Sequence, residues 1–144
     1  MRRIAVLLVP MLVGACLPAD DTLKLDPTDP IVTGSFALSS IDGTFLPVVA
    51  NMSSTQEIDL ASDTVSIASD GTWTETSVYT VTMLADNSKT TTVSNIGGTY
   101  TIASQQINFV QTTGDGSVAF AGSVRGNRLT VLFNGSEFLY NRSS

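Results

Sequence analysis

A single cysteine, Cys16, and no histidine stand in a chain of 144 residues with seven basic and thirteen acidic side chains. That inventory bounds the available chemistry. A catalytic thiol needs a base, and the usual one is absent. The Ser–His–Asp arrangement is absent for the same reason, as are the Cys and His sets that hold zinc. No Gly-rich loop followed by Lys and Ser or Thr is present to cradle a phosphate. Lys89 follows the polar run Asp86-Asn87-Ser88, where water solvates it. Carboxylates remain, and Glu57, Asp59 and Glu75 could in principle form a glycosidase pair. Carboxylates on such strands usually face water. The expectation is a non-enzymatic protein without cofactor or metal.

Cys16 is better explained by what precedes it. Met1-Arg2-Arg3 supplies a positive start, and IAVLLVPMLVGA follows without a charge. That is the layout of a secretory signal peptide. The apolar run is short of the roughly 20 residues a spanning helix needs, and Pro10 interrupts it. Val13-Gly14-Ala15 then present small residues directly before Cys16. This resembles the lipobox of bacterial lipoproteins, in which the cysteine is diacylated and the chain is cut just before it. The resemblance implies residues 1–15 as a signal peptide and Cys16 as the lipid attachment site. It also implies a place in the bacterial cell envelope, with the membrane as a partner through the acyl chains. Each buried methylene contributes about 0.8 kcal/mol to such an anchor. Leu17, rather than Asp, follows the cysteine, which resembles the sorting context of outer-membrane lipoproteins.

Without Arg2 and Arg3 the chain keeps five basic and thirteen acidic residues, a net charge of −8. An acidic surface repels phosphate backbones, so no nucleic-acid partner is expected. Residues 16–33 hold Pro18, Pro27 and Pro30 among Asp20, Asp21, Asp26 and Asp29. They read as the lipidated cysteine and an extended, solvated tether. Their spacing does not match a calcium loop.

Residues 34–144 have the composition of a sheet protein. From Thr72 to Met83 the odd positions carry Trp73, Tyr79, Val81 and Met83, while threonine dominates the even ones. Period-two alternation puts the apolar side chains on one face and the hydroxyls on the other. Val65 and Ile67, Tyr100 and Ile102, Ile107 and Phe109, Val118 and Phe120, and Leu129, Val131 and Phe133 repeat the design. Asp42-Gly43, Asp70-Gly71, Asp86-Asn87, Gly114-Asp115-Gly116 and Asn134-Gly135 mark tight turns. A Gly-Thr-aromatic motif recurs at Gly43 to Phe45, Gly71 to Trp73 and Gly98 to Tyr100. It predicts a turn, a strand start and an aromatic entering the core. Glu75 is the anomaly, since it shares a face with Trp73 and Tyr79. It stands near a barrel mouth, or beside a bulge that flips the phase, or as a polar handle in a pocket.

Short strands joined by such turns predict an all-β fold, an antiparallel up-and-down barrel of about eight to ten strands or a sandwich. Gly34-Ser35-Phe36, Asp42-Gly43, Leu46-Pro47 and Gly97-Gly98-Thr99-Tyr100 together resemble the small lipocalin-like domains of bacterial lipoproteins, although Phe36 stands where that family has tryptophan. The resemblance implies a lipocalin-like barrel that binds a small apolar ligand. Phe36, Trp73, Glu75, Tyr79, Tyr100, Phe109 and Phe120 are then the candidate lining residues. The alternative is a packed structural or protein-interaction module, an inhibitor among the options, that meets another envelope protein. Replacing Cys16→Ser is expected to remove acylation and release the chain from the membrane fraction; an acylated, membrane-bound variant overturns the lipobox reading.

Overall fold

Alternation of Val, Ile, Phe and Tyr with Thr and Ser forces each segment to bury one face, and a sheet curled on itself buries that face without a second layer. In the computed structural model, which describes residues 32–103, 106–113 and 117–143, ten antiparallel strands do this. They are β1 (Gly34–Ile41), β2 (Thr44–Phe45), β3 (Val48–Met52), β4 (Gln56–Ile67), β5 (Thr72–Met83), β6 (Lys89–Ala103), β7 (Gln106–Gln111), β8 (Val118–Arg125), β9 (Arg128–Phe133) and β10 (Ser136–Arg142). β4 to β10 follow one another as neighbours, and β10 pairs with β1. β1 then pairs with β4, Gly34 opposite Ile67 through Ala37 opposite Thr64. Eight strands close the barrel, and β2 and β3 are extra. The fold is the all-β up-and-down barrel expected from the turn spacing.

The two ends of the barrel differ. At one end the interior is filled by Phe36, Ile67, Trp73, Tyr100, Ile107, Phe109 and Leu129, all buried. Trp73 meets Phe109 edge-on at 5.6 Å and Phe120 at 5.3 Å. Phe109 stacks on Phe120 at 5.0 Å. Such pairs add about 0.5–1.5 kcal/mol each beyond the area they bury. The Trp73 indole N–H donates to the Thr99 carbonyl at 3.1 Å, and the Tyr100 hydroxyl donates to the Ala68 carbonyl at 2.6 Å. Neither polar atom is stranded by burial.

Val32, two residues ahead of the barrel as read from the sequence, is fully buried in this end. Arg142 holds the entering chain, its guanidinium donating to the Thr33 carbonyl at 2.6 Å and lying 4.6 Å over the Phe36 ring. One end of the barrel is therefore plugged. At the other end β4, β5 and β6 run on past their neighbours, with β3 against β4.

The Gly-Thr-aromatic motif behaves differently at its three positions. Trp73 and Tyr100 enter the core, but Phe45 sits on the two-residue strand β2 and is 73% exposed. That strand lies outside the closed barrel, so its aromatic has no interior to enter. Gly98 is not in a turn either. It lies within β6 opposite Gln111, where a Cβ would run into the Val110 carbonyl. The requirement there is close strand approach, not a special backbone angle. Gly98→Ala is expected to lower stability by about 1–3 kcal/mol, read as a fall in the urea midpoint; an unchanged midpoint would show that β6 and β7 can separate freely.

Candidate functional site

Toward the open end the interior changes from aromatic to mixed. The β4 register shifts between Leu60 and Ser62, a bulge that changes which residues point inward. Leu60 is buried before it, and Asp63, Val65 and Ile67 are buried after it. Asp63 thus enters the barrel, opposite Ser77 on β5, while Glu75 stands opposite Val65 and Ile96. No register shift interrupts β5 against β6. Glu75 consequently keeps the inward phase of Trp73 and Ser77, and it is only half-buried because it borders the cup described below.

Asp63 and Glu75 form one unit. Tyr140 of β10 donates to Asp63 Oδ2 at 3.4 Å, and Ser77 donates to Glu75 Oε1 at 3.3 Å. Asp63 Oδ1 is buried and meets no N–H or O–H group. The two carboxyls lie within reach of each other, and a hydrogen bond between them forms only while one of them carries a proton. Burial, followed by the charge of Glu75, pushes Asp63 up from its ordinary 3.8 to about 8. Burial raises Glu75 as well, but the hydrogen bonds from Asp63 and Ser77 favour its ionised form. Near neutral pH Asp63 therefore stays protonated, and its proton lowers the cost of a charge on Glu75. Burial also keeps the Tyr140 hydroxyl protonated.

Above the pair is a half-open cup of about 100 Å³. Phe120, Phe133 and Phe138 supply rings to its wall, with Tyr140 beside them, and Ile96 and Val131 fill between. Glu75 and Gln111 are its polar members. Asp63 does not reach it. A shared proton between carboxyls can serve acid–base chemistry when both groups face the reacting bond. Here only one of them can touch a bound molecule.

The rim is tied down. The Asp42 N–H donates to the Glu137 carbonyl at 2.9 Å, and Asp42 Oδ1 accepts from the Glu137 N–H at 2.8 Å. Where the chain leaves β7 beside β6, Thr113 Oγ1 accepts from the Gly97 N–H at 2.7 Å.

Of the seven lining residues expected from the sequence, Glu75 and Phe120 line the cup. Phe36, Trp73, Tyr100 and Phe109 are packed in the plugged end, and Tyr79 lies half-buried against the core. Cys16 lies outside the described residues. Glu57 and Asp59 alternate with Ile58 and Leu60 on the projecting half of β4, away from Glu75. Asp63 was legible, since it shares parity with Val65 and Ile67. Phe138 and Tyr140 alternate in the same way on β10. No family model matches the chain, and neither does any curated protein or solved structure.

The carboxyl pair makes stability rise on mild acidification. Asp63 titrates near 3.8 when unfolded and near 8 when folded, so folding takes up a proton between those values. Its stabilising effect is full below about pH 4 and is lost as pH rises through 8, at up to about 1.4 kcal/mol per pH unit. Asp70 and Asp86, which accept turn hydrogen bonds, have lowered values and act in the opposite sense at lower pH. Asp63→Asn keeps the donor toward Glu75 and is expected to raise the melting temperature at pH 8 and flatten its dependence between pH 4 and 8. An unaltered profile in this variant would remove the pair as its cause.

Proposed function

We propose that the chain is a lipoprotein of the bacterial cell envelope, anchored through Cys16, whose barrel is a non-enzymatic binding module that grips one small group in the cup at its open end. The observation that carries this reading is the half-open cup itself, with rings around it and one carboxyl in its wall. Its size sets the mode of binding. A drug-sized molecule needs roughly 300 Å³ or more, whereas a cavity of about 150 Å³ holds benzene. At about 100 Å³ the cup takes a group slightly smaller than a benzene ring, and the remainder of a larger ligand stays outside. The apolar ligand suggested by the lipocalin-like resemblance is thereby reduced to an apolar group.

The aromatic cluster around Trp73 favours a second reading, a barrel packed solid that acts only through its outer surface. The two separate in a fragment titration. Compounds of up to six heavy atoms are added to the isotope-labelled Cys16→Ser chain, and amide shifts are followed by NMR. Shifts confined to Ile96, Gln111, Phe133 and Phe138 are expected for the apolar fragments. A panel that moves none of these amides would sink the cup reading and leave the packed module.

A further inference from the structure

The cup has a feature that a neutral apolar group does not use. Glu75 places a carboxyl in a wall otherwise made largely of phenyl rings and aliphatic side chains. A half-buried carboxylate against rings is costly unless something compensates it. Among the described residues the groups that act on Glu75 are Asp63 and Ser77, and those around the neighbouring Tyr140 are Asp63, Glu75 and Tyr79. None is a cation. Arg142 is occupied at the plugged end, over Phe36 and against Thr33.

We propose that the cup binds the ammonium group of a small organic cation, with Glu75 as its counter-charge and Phe120, Phe133 and Phe138 as the aromatic walls around it. This rests on the cup reading above and names the chemical class that the cup selects. Ring faces carry partial negative charge and attract a cation within about 6 Å of their centroids. A space of about 100 Å³ is only roughly 6 Å across, so a cation seated in it lies within that reach of the surrounding rings. The dimensions suit a trimethylammonium or alkylammonium head, whose methyl or methylene groups also pack against Ile96 and Val131.

The charge count agrees. With Asp63 protonated and withdrawn from the wall, Glu75 is the one carboxyl of the pair that faces a bound group, which matches a monocation. A bare metal ion is poorly served, because among the described residues Glu75 is the only carboxylate in the wall and rings replace the oxygen ligands a hard cation needs. Among the described residues no group of three metal-ligating side chains occurs. An anion would oppose both Glu75 and the net charge of the chain, −6.

The test compares choline with its neutral carbon isostere, 3,3-dimethyl-1-butanol, by NMR titration of the Cys16→Ser chain. Choline is expected to shift Ile96, Phe133 and Phe138 and to bind at least about tenfold more tightly than the isostere. Adding Glu75→Gln should erase that difference, with an otherwise unchanged amide spectrum showing that the barrel is intact. In the unsubstituted cup, choline affinity should fall as acid protonates Glu75, while that of the isostere should not. Equal binding of the two probes overturns the ammonium assignment and leaves the cup as a site for neutral groups. Binding of neutral fragments with no choline binding does the same. Silence of the cup toward choline, the isostere and every fragment overturns both the assignment and the reading on which it rests.

Discussion

Residues Gly34 to Ala37 of β1 pair with β4, while Phe36 to Ile41 pair with β10. That double pairing turns a ten-stranded meander into a cylinder. An open sheet of this composition would leave the inward row from Phe36 to Tyr140 facing water and would expose an unpaired edge. Closure removes both costs together, and the interior follows from it. In an eight-stranded barrel the bore is just wide enough for side chains to fill. Whether it is filled depends on the residues at each level. Trp73, Tyr100, Phe109 and Leu129 fill one end, and smaller or polar side chains at Glu75, Ser77 and Gln111 leave the other partly empty.

The buried carboxyl pair is a cost placed in a fold with little charge inside. Asp63 and Glu75 on adjacent strands cannot both ionise cheaply, and the barrel answers by keeping a proton between them. Tyr140 and Ser77 then satisfy part of the remaining hydrogen-bonding capacity. The arrangement holds a negative charge at the wall of an apolar cup while shielding its partner. An isosteric apolar pair would fill the same space with less penalty, so packing alone does not account for the pair. The contacts of Asp42 with Glu137 and of Thr113 with Gly97 tie strand ends at the rim to one another.

Much of the fold was readable before the structure because strand alternation is local. The Thr72 to Met83 pattern places Trp73 inside and Thr72, Thr74 and Thr76 outside, and β5 keeps that phase as far as Ser77; beyond it, where β4 to β6 project, the alternation is lost and Met83 is exposed. The turn at Asn134-Gly135 is equally local, with both residues at positive φ as a two-residue hairpin requires. Phe45 shows the limit of such reasoning. Its motif matches those of Trp73 and Tyr100, yet β2 lies beyond the closed barrel and the ring is left in water. Local sequence specifies a face, and only the sheet decides whether that face has an interior.

The cup marks the same boundary. By itself the sequence determined the sheet composition, most of the turns, the alternation around Trp73 and the absence of histidine and thiol side chains from residues 34–144. The tertiary structure alone decided which inward residues meet. Asp63 and Tyr140 are 77 residues apart, and they touch because β10 returns to β1 while a bulge in β4 turns Asp63 inward. Aromatics that look alike in the sequence were separated by level along the bore: Phe109 into the plug, Phe133 and Phe138 into the cup. Period-two alternation reports inside or outside, whereas position along the barrel axis depends on register and closure, which are properties of the whole sheet.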